Sequence, residues 1–372
     1  MKRLFPLLFA LSCGGRAEAE PASLIPFRPA DQTEAGNSGD RVGSKDPIVQ
    51  IAAKGDLTCA LGASGTIRCW DSHFSAAEVG REPSAVQLAV RGPWSMSDYK
   101  SVYARLEDGR VVAYRGHGTA APGQQVAGLA NVVQLSAGGA HVCAVVRGGS
   151  VWCWGDNTLG QMGSGFSGGL FGSPNPVPGL GGVVEISAGE FSTCARDGDG
   201  SVKCWGSAYG GQLGDNSPEN AHVDCPDRTI ACSAKPVTVF GLSDATALTS
   251  GLNWTCAERR TGAPVCWGAD SNGHRADGTQ IDRTRPEPTL FGAGTSMSAA
   301  YDQICGVFEN VLGCTAPGGV DMVVRRLGGS DLGQVKTAAG GWHSMCALLV
   351  DGQVRCWSKS DVWPPTFVTV EL

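Results

Sequence analysis

Paired cysteines are the residues whose type and spacing could do chemistry most directly. The chain has 15 cysteines, and setting Cys13 aside leaves an even set. Two of that set, Cys225 and Cys232, close a small loop in the longest insertion. The others form pairs nine or ten residues apart: Cys59 with Cys69, Cys143 with Cys153, Cys194 with Cys204, Cys256 with Cys266, Cys305 with Cys314, and Cys346 with Cys356. Metal binding and redox catalysis favour Cys-x-x-Cys or mixed Cys/His clusters, and neither is present.

The spacing predicts a disulfide in each of these hairpins. Midway between the cysteines lies a short turn ending in glycine, such as Gly198-Asp199-Gly200, which suits a type I turn followed by a left-handed residue. The cysteines then face each other at a non-hydrogen-bonded pair, where Cα atoms approach to roughly 4.5 Å. That distance lies at the short end of the disulfide range. Such bridges predict an oxidising compartment.

The cysteine hairpins belong to an internal repeat, which fixes the architecture. Its unit is a strand, a turn, a strand and Trp-Gly, and an apolar strand precedes it. Seven units begin at Asp56, Ser101, Ala140, Phe191, Asn253, Asp302 and His343. The second is degenerate, with Tyr103 and Ala113 in place of cysteines. The sequence predicts an all-β, seven-bladed β-propeller over residues 47–372, closed by pairing of strands 48–53 and 366–371 in one sheet.

The N-terminal residues read as an export signal followed by a tether. Lys2 and Arg3 precede an apolar run over residues 4–11, and Cys13 follows a small residue. This pattern over residues 1–13 resembles a bacterial lipoprotein signal with Cys13 lipidated, and an ordinary cleaved signal peptide is the alternative. Residues 14–46 are predicted to be a flexible tether. We therefore expect an extracytoplasmic monomer, in the cell envelope or secreted, whose membrane contact is only through a lipid anchor.

Charge and motifs argue against nucleic-acid binding and catalysis. The formal net charge is -6, and beyond the N-terminal Lys2-Arg3 there is no basic cluster other than the pairs Arg259-Arg260 and Arg325-Arg326. No G-x-S-x-G, H-E-x-x-H or phosphate-loop string is present. A hairpin turn explains the acidic run at residues 197–200 without calcium. The sequence predicts no enzyme, no cofactor, no metal and no nucleic-acid partner.

A family resemblance rests on two strings of residues. They are A-G-G-A-H-V-C-A from Ala137, continuing through Trp154-Gly155 to Gly160-Gln161-Met162-Gly163, and Trp205-Gly206 with Gly211-Gln212-Leu213-Gly214. The chain resembles the regulator-of-chromosome-condensation repeat family over about residues 48–372, which implies a seven-bladed propeller. The founder's nucleotide exchange on Ran and its chromatin binding are intracellular, so we do not expect them of an exported chain. Secreted β-lactamase-inhibitor propellers of the family bind a protein with one face of the ring.

The predicted function is therefore non-catalytic binding of a protein through variable loops on one face. The alternatives are a glycan-binding or carbohydrate-active propeller enzyme and a structural surface protein without a tight partner. His141 and His343 are expected to satisfy backbone groups between blades, and the Trp residues of the repeat to fill space between sheets. Interface candidates are the aromatic residues outside the repeat register: Phe74, Trp94, Trp152, Phe166, Phe171, Tyr209 and Trp363. Residues 207–235 form the most distinctive loop.

Overall fold

A computed structural model describes most of the chain beyond residue 45. The described residues are 46–92, 100–115, 122–218, 221–222, 224–225, 230–270, 273, 275–300, 303–315, 324–327, 332–358 and 367–372. Cys13, most of the tether and the interface candidates Trp94 and Trp363 lie outside them. Within these ranges no helix is long and apolar enough to cross a membrane.

The chain forms seven four-stranded antiparallel sheets, and each sheet uses consecutive strands. Blade 1 comprises β1 (Ile48–Lys54), β2 (Leu57–Gly62), β3 (Thr66–Trp70) and β4 (Ala77–Arg81). Blade 2 comprises β5 (Ala85–Arg91), β6 (Ser101–Leu106), β7 (Val111–Arg115) and β8 (Gln124–Gln125). Blade 3 comprises β9 (Val132–Ala137), β10 (His141–Val146), β11 (Val151–Asp156) and β12 (Leu170–Pro176). Blade 4 comprises β13 (Val183–Ala188), β14 (Ser192–Asp197), β15 (Val202–Ser207) and β16 (Cys232–Thr238).

The remaining three blades follow the same order. Blade 5 comprises β17 (Ala245–Ser250), β18 (Trp254–Arg259), β19 (Val265–Gly268) and β20 (Arg283–Pro288). Blade 6 comprises β21 (Ser296–Ala299), β22 (Ile304–Phe308), β23 (Val311–Thr315) and β24 (Val324–Leu327). Blade 7 comprises β25 (Val335–Gly340), β26 (Ser344–Leu349), β27 (Val354–Ser358) and β28 (Val368–Thr369). The predicted all-β, seven-bladed propeller is confirmed.

Disulfides join the two middle strands of every blade except the second. The hairpin bridges join Cys59 with Cys69, Cys143 with Cys153, Cys194 with Cys204, Cys256 with Cys266, Cys305 with Cys314, and Cys346 with Cys356. Their Cα atoms lie 4.0–4.1 Å apart, somewhat closer than the roughly 4.5 Å of an unbridged pair, and the two cysteines face each other directly across the hairpin as expected. A seventh bridge joins Cys225 with Cys232, with Cα atoms 5.7 Å apart.

Blade 2 replaces the covalent bridge with an aromatic contact. The residues that face each other in its hairpin are Tyr103 and Ala113. The Tyr103 ring packs edge-on against Trp154 of blade 3, with centroids 5.6 Å apart. Blade 2 thus has the Tyr103–Trp154 contact with blade 3 at the position where the other six blades have a disulfide within the hairpin.

The first strands of the blades form the inner ring, and each touches the next one. β25 lies against β1 in the same way. The seam is filled by side chains of blades 1 and 7, among them Ile51, Trp70, Leu348 and Val354. The terminal strands do not pair with each other, because β1 pairs with β2 and β28 pairs with β27. The predicted single sheet at the termini was therefore wrong: each blade completes its own four strands, so contact between the end blades falls to packing.

Polar side chains connect the inner strands of neighbouring blades. Three glutamines at equivalent positions each accept from one backbone N–H and donate to the same residue's carbonyl in the next blade. They are Gln50 with Leu88 (2.7 and 3.2 Å), Gln87 with Leu135 (3.0 and 3.0 Å), and Gln134 with Ile186 (2.8 and 2.9 Å). At the fourth position the Glu185 carboxylate accepts from Leu248 N–H at 3.0 Å and from Arg196 at 2.7 Å. A primary amide suits this place because it carries both a donor and an acceptor.

The substitution Gln134→Glu tests this connection. It removes the donor to the Ile186 carbonyl and places a charge at a half-buried site that lacks the arginine partner of Glu185. We expect the free energy of unfolding to fall by about 1–3 kcal/mol, measured by denaturant titration. The control is Gln125→Glu on exposed β8. Equal midpoints for the two variants would contradict a structural role for the Gln134 amide.

Candidate binding face

One face of the ring carries the variable loops. In an antiparallel blade the turn between the first and second strands and the connection between the third and fourth strands lie at the same end. The hairpin turn between the second and third strands lies at the opposite end. First-to-second turns of neighbouring blades meet, because Gly139 N–H donates to the Gly189 carbonyl at 3.3 Å and Glu190 N–H to the Gly251 carbonyl at 3.1 Å. We call this end of the ring the loop face.

Two lock turns, residues 160–163 and 211–214, tie the loop face together. The indole N–H of Trp205 in blade 4 donates to the Gln161 carbonyl of blade 3 at 2.9 Å. Trp267 in blade 5 donates in the same way to the Gln212 carbonyl of blade 4 at 2.9 Å. Met162 packs with Trp205, and Leu213 packs with Trp267. In blades 3 and 4 the Gly-Gln-apolar-Gly string therefore joins the blade to the tryptophan of the next one.

Glycine ends each lock turn for steric and conformational reasons. Gly163 has φ +67°, and a Cβ there would lie 2.7 Å from Trp205 Nε1. The equivalent residue in blade 5 is Ala276, with φ +54°. Blade 6 has Thr315 where five other blades have tryptophan, so the indole that meets Gly163 and Gly214 from the next blade has no counterpart at Ala276. The alanine thus follows from the missing tryptophan of the neighbouring blade.

Gly163→Ala should destabilise the protein more than Gly179→Ala. Both glycines have positive φ, but a Cβ at Gly179 would meet no atom within 4 Å. The shared left-handed backbone costs roughly 1–2 kcal/mol, and the Trp205 clash should add about 1–3 kcal/mol at Gly163. Denaturant titration of both variants measures the difference. A Gly163→Ala variant as stable as Gly179→Ala would show that the lock turn can shift to fit the added methyl group at no cost in stability, which would contradict the prediction.

The centre of the loop face is closed. Lys54 reaches from blade 1 to blade 4, where its Nζ donates to the Ala188 carbonyl at 3.3 Å. Burial lowers the pKa of Lys54, and the nearby Glu190 carboxylate opposes that shift. The space at the axis, bounded by these side chains with Leu252 and Trp342, is about 10 Å³. Such a space holds about one water molecule, so the residues that the structure describes at this end of the axis leave no room for a larger ligand.

His141 joins blades 3 and 4 through a fixed tautomer. Its Nε2 lies 2.8 Å from the Thr193 hydroxyl, which donates its own proton to the Gln161 carbonyl at 2.8 Å. His141 must therefore donate from Nε2 and is neutral. Burial, with the charges of Lys54 and Arg91, lowers the pKa of His141 to about 3 from 6.5. A proton on Nδ1 would have no acceptor among the described residues.

This burial makes His141 a source of acid sensitivity. Between pH 6.5 and about 3, His141 binds a proton in the unfolded chain but not in the folded chain. Lowering the pH through this window therefore destabilises the folded state, by at most about 1.4 kcal/mol per pH unit. We expect His141→Asn to remove this part of the pH dependence of unfolding. A constant difference in stability between wild type and variant from pH 7 to 4 would contradict the assignment.

His343 does not share the role of His141. It lies three residues before its cysteine, whereas His141 lies two before. Its side chain is exposed, and its Nε2 is 3.5 Å from Asp56 of blade 1. The expected contact with backbone groups between blades is thus replaced by a side-chain contact at both histidines. A one-residue offset in the turn moves the second imidazole from the interior to the surface.

The aromatic interface candidates divide by burial. Phe166 and Tyr209 are 51% and 58% exposed on the third-to-fourth connections of blades 3 and 4. Phe171 is half-buried and packs on Phe166 with ring centroids 5.7 Å apart. Phe74 and Trp152 are half-buried against core clusters. Phe166 and Tyr209 are therefore the described aromatic candidates that remain available to a partner.

Exposed aliphatic residues extend this surface and were missed from the sequence. They are Leu170 at 66%, Ile281 at 58% and Ile230 at 39% exposure, all on or beside the third-to-fourth connections of blades 3 to 5. Trp342 also lies on the loop face, half-buried at its centre. The signal that could have identified Leu170 and Ile281 is an apolar residue in a variable loop. Together with Phe166 and Tyr209, the aliphatic residues Leu170, Ile230 and Ile281 form what we call the apolar loop patch.

Hydrogen bonds between neighbouring loops hold the apolar loop patch in place. Gly165 N–H donates to the Ala234 carbonyl at 2.9 Å, and the Ser167 hydroxyl donates to the Asp224 carbonyl at 2.8 Å. Asn216 N–H donates to the Thr284 carbonyl of blade 5 at 2.7 Å. The connections of blades 3, 4 and 5 are thus one continuous surface.

The insertion at residues 207–235 is not separable from the blade. Ala208 and Leu213 lie in the core between blades 4 and 5, and Gln212 belongs to a lock turn. Cys232 begins β16. Deleting the whole insertion would therefore remove part of the core, a lock turn and the start of β16. Within it, residues 215–231 are the part outside the lock turn and β16.

Among the residues that the structure describes, no group of three or more histidine, cysteine, aspartate or glutamate side chains is arranged to hold a metal ion. The buried carboxylate of Asp270 pairs with the equally buried Arg275 at 3.2 Å. Arg275 stands where the lock turns have Met162 and Leu213. The partners of Arg275 are Asp270, Asp277 and the Ile281 carbonyl, so this ion pair ties together the third-to-fourth connection of blade 5 itself.

Parts of the chain match models of a known repeat. Residues 132–161 and 183–212 match one model of the regulator of chromosome condensation (RCC1) repeat, and residues 148–196 match another. The matched residues span the inner strands, hairpins and lock-turn glutamines of blades 3 and 4. Residues 132–212 of the seven-bladed propeller therefore carry regulator of chromosome condensation repeats.

Similar proteins share part of the sequence or the fold. The chain is 28% identical to the RCC1 domain-containing mitochondrial protein RUG3 of Arabidopsis thaliana over 206 residues, covering 55% of this chain and 40% of that protein. It is 26% identical to the ultraviolet-B receptor UVR8 of the same plant over 281 residues, covering 68% and 60%. The chain thus spans less than two thirds of either relative. Prp20p of Saccharomyces cerevisiae has the same fold, with a TM-score of 0.62, 18% identity and coverage of 89% and 87%.

Proposed function

We propose that this protein is a non-catalytic binding module that holds a partner protein on its loop face, outside the cytoplasm. The observation that carries the proposal is the apolar loop patch, in which Phe166, Leu170, Tyr209 and Ile281 are each more than half exposed. Large exposed apolar side chains grouped on a soluble fold mark interaction sites.

The rigidity of the apolar loop patch supports protein binding. Its loops are held by backbone hydrogen bonds between blades and, in blade 4, by the disulfide between Cys225 and Cys232. Preordered loops lose little conformational entropy on association, so more of the contact energy becomes affinity. Aromatic side chains such as Tyr209 are frequent binding hot spots.

Relatives of the same fold support a protein partner in general terms. Prp20p of yeast has binding properties toward Gsp1p and histones. Those partners belong to that protein, and the exposed residues of this chain favour a partner with an apolar docking surface. The electrostatic balance of the chain, -6 overall, gives no reason to expect nucleic acid.

The proposed location rests on the disulfides and the N-terminal sequence. Seven disulfides are typical of proteins kept in oxidising compartments. The apolar run at residues 4–11 with Cys13 suits export, with lipidation as the form of membrane attachment. On this proposal the propeller is displayed by the segment 14–46.

Affinity capture with paired variants tests the binding proposal. The oxidised full chain serves as bait for cell-envelope and culture-supernatant extracts, and reduced chain is the redox control. We expect one saturable partner, whose dissociation constant rises at least about tenfold for the double variant Phe166→Ser and Tyr209→Ser. The matched control is Val184→Ser with Val350→Ser, which lie at the opposite end of the ring, at the start of β13 and in the turn between β26 and β27, and are 47% and 55% exposed.

Each outcome bears on a different part of the proposal. A partner lost only in the control variant would move the docking site to the opposite face. Absence of any saturable partner would contradict the binding function and favour a structural surface protein. A partner that consists of glycan alone would favour the carbohydrate-directed alternative.

A further inference from the structure

The inner strands of six blades share a bulge at the same place. The pairing of the first strand with the second skips one residue in each of them, whereas the ladder of blade 6 is regular. Each skipped residue is the second of its strand, so it lies at the end of the ring opposite the loop face. We call that end the hairpin face. The skipped residues are Val49, Val86, Val133, Val184, Thr246 and Lys336.

The bulged side chains point toward the axis of the ring. In blade 4 the preceding Val183 is buried against blade 3, and the following Glu185 accepts from Leu248 N–H of blade 5. One edge of the strand pairs with β14, so the remaining direction is the axis. Val184 is 47% exposed, although its strand is covered on both faces. Its side chain therefore lies at the opening of the central channel.

Four adjacent blades place valine at this opening. The four side chains are between 42% and 47% exposed, whereas Thr246 and Lys336 make the other side of the opening polar. The connections between these blades at the hairpin face, residues 82–84, 126–131 and 177–182, are all described and leave the valines exposed. Grouped apolar side chains of this kind mark a surface that another segment covers. We call Val49, Val86, Val133 and Val184 the valine mouth.

The N-terminal segment enters the propeller beside the valine mouth. The Asp46 carboxylate accepts from the N–H and the hydroxyl of Ser64, both at 2.7 Å, in the hairpin turn of blade 1. The Pro47 carbonyl accepts from Ala63 N–H at 2.8 Å. Val49 follows Asp46 by only three residues. The segment 14–45 is therefore attached to the hairpin face at the edge of the mouth.

The segment 14–45 contains one apolar string, Leu24-Ile25-Pro26-Phe27. Three of the four Leu, Ile, Val and Phe residues of the segment fall in this string, and the remainder is mostly small or charged. Pro26 and Pro29 restrict the backbone before binding, which lowers the conformational entropy lost on binding. Residues 24–27 lie outside the described part of the chain.

We propose that residues 24–27 bind to the valine mouth of their own chain. The Leu24, Ile25 and Phe27 side chains cover the four valines, and residues 28–45 return along the hairpin face to Asp46. A chain of the length that separates Phe27 from Asp46 spans roughly 25 Å, so the string can fold back to a mouth beside its own attachment. The linkage holds the string at an effective concentration in the millimolar range, which populates even a weak contact.

Binding of the string determines where the segment lies on the ring. It keeps residues 24–45 on the hairpin face, so the apolar loop patch at the other end stays free for a partner. If Cys13 carries the lipid of the proposed location, the loop face points away from the membrane. The inference goes beyond the proposed function and does not depend on it, because it concerns the opposite face.

Photo-crosslinking in the oxidised full chain tests the proposal. The photoreactive residue p-benzoylphenylalanine replaces Phe27, and the control places it at Gln32 of the same segment. We expect only the probe at residue 27 to crosslink to peptides that carry Val86 or Val133, with a yield independent of protein concentration. Val86→Ser with Val133→Ser should lower that yield at least about fivefold, since it removes half of the valine contact. The matched control Val350→Ser, 55% exposed in a hairpin turn outside the mouth, should leave the yield unchanged.

Other crosslinking patterns would overturn the proposal. Equal crosslinking from residues 27 and 32, or a yield unchanged in the double variant, would show that the string has no site at the mouth. Crosslinks to Phe166 or Tyr209 would place it on the apolar loop patch, and crosslinks between isotopically light and heavy chains would assign the mouth to a second copy. An unchanged thermal unfolding midpoint shows that the double variant is folded, and Val133→Ser alone replaces it if the midpoint falls. Partner capture is a separate measurement, so failure of this proposal and failure of the proposed function are distinguishable.

Discussion

Contact between blades is the constraint on which this structure depends. A blade satisfies its backbone hydrogen bonds within its own four strands but buries its two faces only against its neighbours. Inner strands of adjacent blades lie side by side without a common hydrogen-bond ladder. The glutamines at positions 50, 87 and 134 bridge this gap, because each amide satisfies both groups of one residue on the next strand. On the loop face the lock turns also connect adjacent blades, because their backbone carbonyls accept hydrogen bonds from the Trp205 and Trp267 indoles of the next blade.

The disulfides act at a different level. Each hairpin bridge, such as that between Cys143 and Cys153, closes a short loop within one blade, so it stabilises that blade's middle strands and does not connect it to the ring. Blade 2 lacks the bridge and instead uses Tyr103 against Trp154 of blade 3. The repeat is thus regular within blades and varied between them. One change accompanies another: Ala276 of blade 5 packs with Met297 and Ile304 of blade 6, the blade that has Thr315 in place of tryptophan.

Variation between blades is also where binding surfaces arise. Where the lock turns are complete, in blades 3 and 4, the adjoining loops are held firmly and display Phe166 and Tyr209 to solvent. At the opposite end of the ring the bulged residues of the inner strands are valines in blades 1 to 4 and polar in blades 5 and 7. Lys54 crosses the axis at the loop face, so a ligand of that face meets the loops rather than the channel.

The sequence by itself determined the blade count, the strand order within a blade and the hairpin cysteine pairs, because these depend on local periods and turns. It also marked Phe166 and Tyr209 as loop aromatics. Only the tertiary structure decided how blades join: the role of Gln134, the different environments of His141 and His343, and the separate sheets of β1 and β28. It also decided that Phe74 and Phe171 pack partly against their own blades and that Leu170 and Ile281 are exposed. The physical reason is that these features depend on contacts between residues about 40 to 60 positions apart or at opposite ends of the chain, and no local pattern encodes which side chain will face which neighbour.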